Sequence, residues 1–190
     1  IYRQRRLNDS ADLPSSRCLP SGIPLSMTLP YPFKFVQTPG LLVVLHEGDS
    51  AIRQIHTDGR KHTPDPQPTF MGYSVGTWDG DTLVVDTVGF NGKTRLDTLG
   101  HPHSDQMHVI QRFEFTDPDH LAYEVTIDDP KTYERPWTMS FPLTPLDGGR
   151  ILPYTCHEGN MALTQSLGGE RAEDRALEED AKKGIIRPRR

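Results

Sequence analysis

The stretch YSVGTWDGDTLVVDTV, Tyr73 to Val88, decides the fold. Two runs rich in β-branched and aromatic residues, YSVGTWD (73–79) and TLVVDTV (82–88), flank Asp79-Gly80, a dipeptide that favours a tight turn between strands. The pattern predicts a β-hairpin.

Similar runs extend outward on both sides. FKFVQT (33–38), LLVVLHE (41–47) and AIRQIHT (51–57) precede the hairpin, punctuated by Pro39-Gly40, Gly48-Asp49 and Asp58-Gly59. HVIQRFEFT (108–116), LAYEVTID (121–128), TMSFPLT (138–144) and GRILPYTC (149–156) follow it, with turns at Asp117-Pro118-Asp119 and Asp147-Gly148-Gly149. About nine short strands at this spacing predict an all-β fold. The expectation is an antiparallel up-and-down barrel, closed or half-open, of the calycin or lipocalin type. Residues 1–32, rich in proline and turn clusters, are expected as an extended N-terminal arm, and residues 33–160 as a single barrel domain. Residues 161–190 are expected as a C-terminal helix and tail, because GGERAEDRALEEDAKK places Glu178 and Glu179 four residues before Lys182 and Lys183.

Composition narrows the alternatives. Of 190 residues, 34% are apolar and 17 are proline, which argues against a helical bundle and for edges and turns. A net charge of −5, with 21 basic residues spread along the chain, disfavours nucleic acid as the main partner. No apolar run is long enough for a membrane-spanning helix. The two cysteines, Cys18 in SSRCLPSG and Cys156 in YTCHEGN, sit in polar, turn-like surroundings. That context favours a disulfide over two buried thiols, and with it an oxidising compartment, periplasmic or extracellular.

The strand at 108–115 puts His108, Ile110, Arg112 and Glu114 on one face and Val109, Gln111, Phe113 and Phe115 on the other. Its neighbour puts Tyr123, Val125 and Ile127 opposite Ala122, Glu124, Thr126 and Asp128. The polar rows either meet solvent as cross-strand charge pairs or line a lumen that holds a small ligand.

LDTLGHPHSDQMHVI (96–110) gathers His101, His103 and His108. Three readings stand: a polar turn, acid–base equipment, or a metal site built on these three histidines. The spacing is only superficially that of the first cupin metal motif, which carries Glu in its third position. GYSVG (72–76) formally fits a nucleophile elbow, but another strand follows it where that motif requires a helix. Asp128 and Asp129 in TIDDP are better explained as turn capping. CHEGN adds His157, Glu158 and Asn160 near the end of the strand series.

The runs PYPFKFVQTPGLLVVL, RQIHTDGR, MGYSVGTWDGDTLVVDTVGFN, GHPHS and VTIDDPKTYERPWT, spread over residues 17–160, resemble an exported bacterial family that carries no assigned activity. The resemblance implies a secreted or periplasmic setting. It also draws attention to Arg53, Asp58, Arg60, Tyr73, Trp78, Asp81, Asn91, Asp97, His101, His103, Tyr133, Trp137 and Glu158.

The function expected from these residues is an enzyme of the lyase, isomerase or hydratase type acting on a small organic substrate. His101 or His103 would move the proton, Asp97 or Glu158 would orient the ring, Arg53 or Arg112 would hold an anionic or carbonyl oxygen, and Tyr73, Tyr133 and Trp137 would wall the pocket. No cofactor is required by this reading. The alternatives are a periplasmic protein that binds a hydrophobic or aromatic ligand without chemistry, and a metal-dependent enzyme using a divalent ion. The expected partner is the small molecule itself, with neither nucleic acid nor a membrane span, and with room for a homodimer.

Overall fold

The computed structural model describes residues 13–156, Glu158 and 161–184, without the side chains of 162–164. The chain forms two compact units, Ile1–Tyr154 and Thr155–Arg190.

The first unit is one eight-stranded sheet, curled into a half-barrel, in which the strands follow chain order. They are β1 (Phe33–Thr38), β2 (Leu41–His46), β3 (Ile52–His56), β4 (Tyr73–Asp79), β5 (Thr82–Val88), β6 (His108–Asp117), β7 (His120–Asp128) and β8 (Trp137–Leu143). In the 73–88 hairpin Asp79 pairs with Thr82, so the turn residues are Gly80 and Asp81, one step on from the dipeptide expected. Gly80 has φ +61° while Asp81 is not in the left-handed region, so the residue that tolerates positive φ takes the first turn position.

The structure corrects the expected fold in two respects. The sheet is mixed, because β3 and β4 run parallel through only two registered pairs, Ile55 with Ser74 and His56 with Val75. Residues 57–72 form the crossover that a parallel step requires, a length the turn signals did not reveal. Residues 149–156, expected as a ninth strand, form none. With β1 and β8 at opposite ends of the strand order, the sheet is a half-barrel, the half-open form of the expectation.

Alternation places the core on the concave face. Leu42, Val44, Ile55, Leu83, Val85, Val109, Phe113, Leu121, Tyr123, Val125 and Ile127 are buried there, close to one residue in two along β2, β3, β5, β6 and β7. The polar row takes the solvent side: Arg112 faces Glu124 in register and donates to Asp79 Oδ2 at 3.3 Å, with both side chains well exposed.

Residues 1–12 of the expected arm lie outside the described residues, and one segment of its later part is enclosed. Ser21 to Met27 are all buried, with a short helix α1 (Leu25–Thr28) and Ile23 fully enclosed in the core. Ser21 donates to Asp49 Oδ2 through N–H (2.9 Å) and Oγ–H (2.6 Å), which ties this segment to the β2–β3 turn. Gly22 lies at φ +79°, where a Cβ would sit 2.7 Å from Thr94 Oγ1, so only glycine fits both the backbone and the space. An apolar plug thus closes part of the half-barrel with residues whose irregular pattern hid their burial.

The second unit contains helix α2 (Ala162–Lys182), polar around most of its circumference, with Leu177 half-buried and Asp180 buried. No helix among the described residues is long and apolar enough to cross a membrane. Both cysteines are oxidised, as the disulfide Cys18–Cys156.

Ile23→Ala is expected to lower unfolding free energy by about 2–5 kcal/mol in chemical denaturation, the cost of a core cavity. A change below about 0.5 kcal/mol, the surface value, would mean that the segment is an arm after all.

Candidate functional site

The lapse in pairing between β3 and β4 opens the sheet wall. Beyond Ile55, β3 has no β4 partner for Ile52, Arg53 or Gln54, and a cleft of about 450 Å³ lies between them and the crossover end at 69–74. The far wall is held by backbone bonds from Thr69 N–H to Gly89 O and from Asn91 N–H to Thr69 O, both 3.0 Å. Gly72, at φ +69°, lets this wall pass over β5, since a Cβ would meet Thr87 Cγ2 at 2.7 Å.

Arg53 lines this cleft and is 2% exposed. It shares the concave face with Ile55, so its guanidinium is carried into the half-barrel, where Nε donates to Ser74 Oγ at 3.1 Å and Nη2 to Thr87 Oγ1 at 2.8 Å. Its Nη1 is buried without a partner, and among the described residues no carboxylate pairs with it. Burial pushes its pKa down to about 10, which leaves it charged at neutral pH.

Other polar groups share this interior. Gln111 Nε2 donates to Tyr123 Oη at 2.6 Å, leaving Gln111 Oε1 unpartnered. Burial pushes the Tyr123 phenol up to about 12, so it is neutral and keeps a proton to donate. His46 is pushed down to about 4 by burial first and by the Arg53 charge second, and its Nε2 also lacks a partner. An aromatic belt runs beside this hub: Phe33 contacts Phe35, Phe35 contacts Phe113, and Tyr123 touches both Phe113 and Phe141, with ring centroids 5.0–5.6 Å apart.

On the convex face at the cleft's rim, Tyr73 lies between His56 (centroids 5.3 Å) and His62 (5.8 Å). Asp86 Oδ1 accepts from His62 Nε2 and from His108 Nε2, each at 2.8 Å. The bond from His108 is the largest influence holding the Asp86 carboxyl below its ordinary range, and the carboxylate in turn raises His108.

The expected site residues are distributed among several places. Arg53 and Tyr73 line the same cleft. Asp97 and His101 form an exposed pair, with Asp97 Oδ2 bound to His101 Nδ1 at 2.5 Å. Tyr133 donates to Pro102 O in the same loop (2.9 Å) and packs edge-on against Trp137 (5.9 Å). His103 is buried with both ring nitrogens engaged: Nδ1–H donates to Ser104 O at 2.9 Å, so Nε2 accepts from Thr94 Oγ1 at 2.5 Å. Asp129 fixes that loop by accepting from Ser104 N–H and Oγ–H, both 2.6 Å. His101, His103 and His108 therefore have three separate sets of partners, and among the described residues no group of three or more His, Cys, Asp or Glu is arranged to hold a metal. Arg112 lies on the convex face, Glu158 is exposed in the second unit, and His157 and Asn160 fall outside the described residues.

His46, Ser74, Thr87, Gln111 and Tyr123 were not expected in a site. The signal for two of them is nonetheless in the alternation: His46 shares a face with Leu42 and Val44, and Gln111 shares one with Val109 and Phe113. A polar residue in an apolar row is the mark of an interior hub. No family model matches this chain, nor does any curated protein or solved structure.

Two outcomes follow from these environments. His103→Ala should cost about 1–3 kcal/mol by leaving Thr94 Oγ1 buried without its partner, whereas His101→Ala should stay within about 0.5 kcal/mol; equal losses in urea titrations would contradict the assignment. His46, neutral when folded but protonated below its usual value of 6.5 when unfolded, contributes stability above that pH that is lost as pH falls toward about 4. The loss attributable to it is roughly 3 kcal/mol. Stability measured between these limits should be flatter in His46→Gln than in the parent, and parallel curves would contradict the assignment.

Proposed function

We propose that this chain is a small-molecule-binding protein whose ligand enters the half-barrel through the cleft between β3 and residues 69–74. The observation that carries the reading is the coincidence of two features: the place where strand pairing lapses is the place where Arg53, buried and short of a partner, lines the wall. Closed sheets avoid both, because an unpaired stretch of strand and an unpaired buried charge are each unfavourable. A calycin-like mode, with the ligand enclosed by the curved sheet, suits the concave hub and its aromatic belt. The disulfide supports an oxidising compartment and hence an exported protein.

A second reading, an acid–base enzyme of the lyase or isomerase type, is favoured by the hydrogen-bonded series His62, Asp86 and His108, which reaches the cleft's rim at Tyr73. A carboxylate that fixes an imidazole's orientation is the usual support for a proton-transferring histidine. In that case the Asp97–His101 pair is a second proton-transfer candidate on a different loop.

Gln54 is exposed and lines the cleft, so Gln54→Trp is expected to fill the entrance without loss of fold. Screening a chemically mixed small-molecule library by melting shift should yield ligands that stabilise the parent and not this variant. Ligands that stabilise both equally would place binding elsewhere, and a library with no effect would remove the binding reading. For any ligand found to be turned over, His62→Gln should lower kcat with little change in Kd if the enzymatic reading holds.

A further inference from the structure

We propose that the ligand of this interior is a small organic acid with an apolar body, its carboxylate anchored on Arg53; the inference rests on the binding reading above and adds the ligand's chemical class. The unpaired charge is the starting point. An ionised group removed from water loses several kcal/mol of solvation, which proteins normally offset with a counter-charge. Among the described residues Arg53 has only two hydroxyls as partners, Ser74 Oγ and Thr87 Oγ1, while its Nη1 is enclosed and unpartnered. Those hydroxyls also bond each other at 3.1 Å, so they do not depend on the guanidinium for a partner.

The neighbours select further. Tyr123 and His46 are the groups whose electrostatics couple to Arg53, and both are neutral, so the hub carries a single positive charge. Nη1–H and the Tyr123 O–H are donors available to a carboxylate, the Tyr123 oxygen being already an acceptor for Gln111. Both neutral partners touch the aromatic belt: Phe33 lies against His46 (5.9 Å) and Phe113 and Phe141 lie against Tyr123. The cleft by which a ligand would reach the charge is itself lined by Ile52, Phe70, Met71 and Tyr73, which fits an aryl or alkyl carboxylic acid better than a polyanion or a sugar. Gln111 Oε1, buried without a donor, would accept from a hydroxyl on that body.

The test compares acids with their uncharged isosteres on the intact chain. Phenylacetate and hexanoate, phenylacetamide and hexanamide, and acetate as the headgroup alone are titrated against the parent by melting shift and calorimetry. The acids should bind roughly ten- to a hundredfold more tightly than the amides, the range expected of a hydrogen bond to a charged group, and acetate should be the weakest acid. Arg53→Met should abolish the preference for acid over amide. It should melt at the parent temperature or above, because it removes an uncompensated buried charge and leaves Ser74 and Thr87 bonded to each other. Acids and amides bound equally would overturn the charge assignment while leaving the binding reading in place. Acetate bound as well as phenylacetate would overturn the apolar body. No binding by any of the five, with ligands found in the mixed library, would overturn the organic-acid class alone, and failure of both screens would remove the binding reading as well. Should Arg53→Met not fold, the acid–amide comparison on the parent still decides.

Discussion

The interior of this half-barrel is organised around a guanidinium that cannot be left alone. Val, Leu, Ile and Phe supply most of the concave face, and in such surroundings a charge is tolerated only where dipoles converge on it. Three consecutive strands build the arrangement: β3 carries Arg53, while β4 and β5 supply the dipoles, the hydroxyls of Ser74 and Thr87. Register makes this possible, since Ile55 pairs with Ser74 and Ser74 with Thr87, so the two hydroxyls stand side by side on the concave face within reach of the Arg53 side chain two residues from that row. A one-residue slip of β4 would turn Ser74 to the convex face and remove that support.

That register in turn depends on the parallel step. An antiparallel β3–β4 turn would bring β4 back along the full length of β3 and cover Arg53 with paired backbone. The crossover at 57–72 instead lets β4 join β3 at its last two residues only, leaving the other end of β3 open. The same crossover carries His62 across the convex face to Asp86, so one connection creates the cleft and places the histidines at its rim. Asp86 is bonded from the crossover by His62 and from β6 by His108, a pair of ties that holds the irregular segment against the sheet.

Strand positions were legible because valine, threonine and aromatic runs bounded by glycine and aspartate turns report local backbone preference directly, and the seven runs from 33–38 to 121–128 all form strands at or within a residue or two of the expected ends. Strand direction was not legible, because it is set by a long-range partner rather than by the run itself. Residues 57–72, with prolines and no period, could equally have been a loop between antiparallel strands. The plug at 21–27 escaped for a similar reason: its apolar residues are enclosed by packing, with no alternation to reveal it. Within the candidate site, Arg53 and Tyr73 were legible as candidates and both line the cleft, but the hub they adjoin was not legible. Gln111 was visible in the apolar row, yet only the fold shows that Tyr123 is its partner and that Arg53 lies on the same concave face.

The histidines carry the last step. His46, His103 and His108 have the same side chain and opposite electrostatic fates: burial holds the first two neutral, whereas the Asp86 carboxylate favours the charged form of the third. Beside Arg53 this difference matters, since a protonated His46 would add a second buried cation to one that already lacks a counter-charge. By keeping His46 neutral down to about pH 4, the interior holds a single unit of positive charge across the range in which organic acids are ionised. On the proposed reading this charge balance favours a monoanion: a neutral occupant would leave the guanidinium uncompensated, and a dianion would bring a charge for which the hub has no second partner.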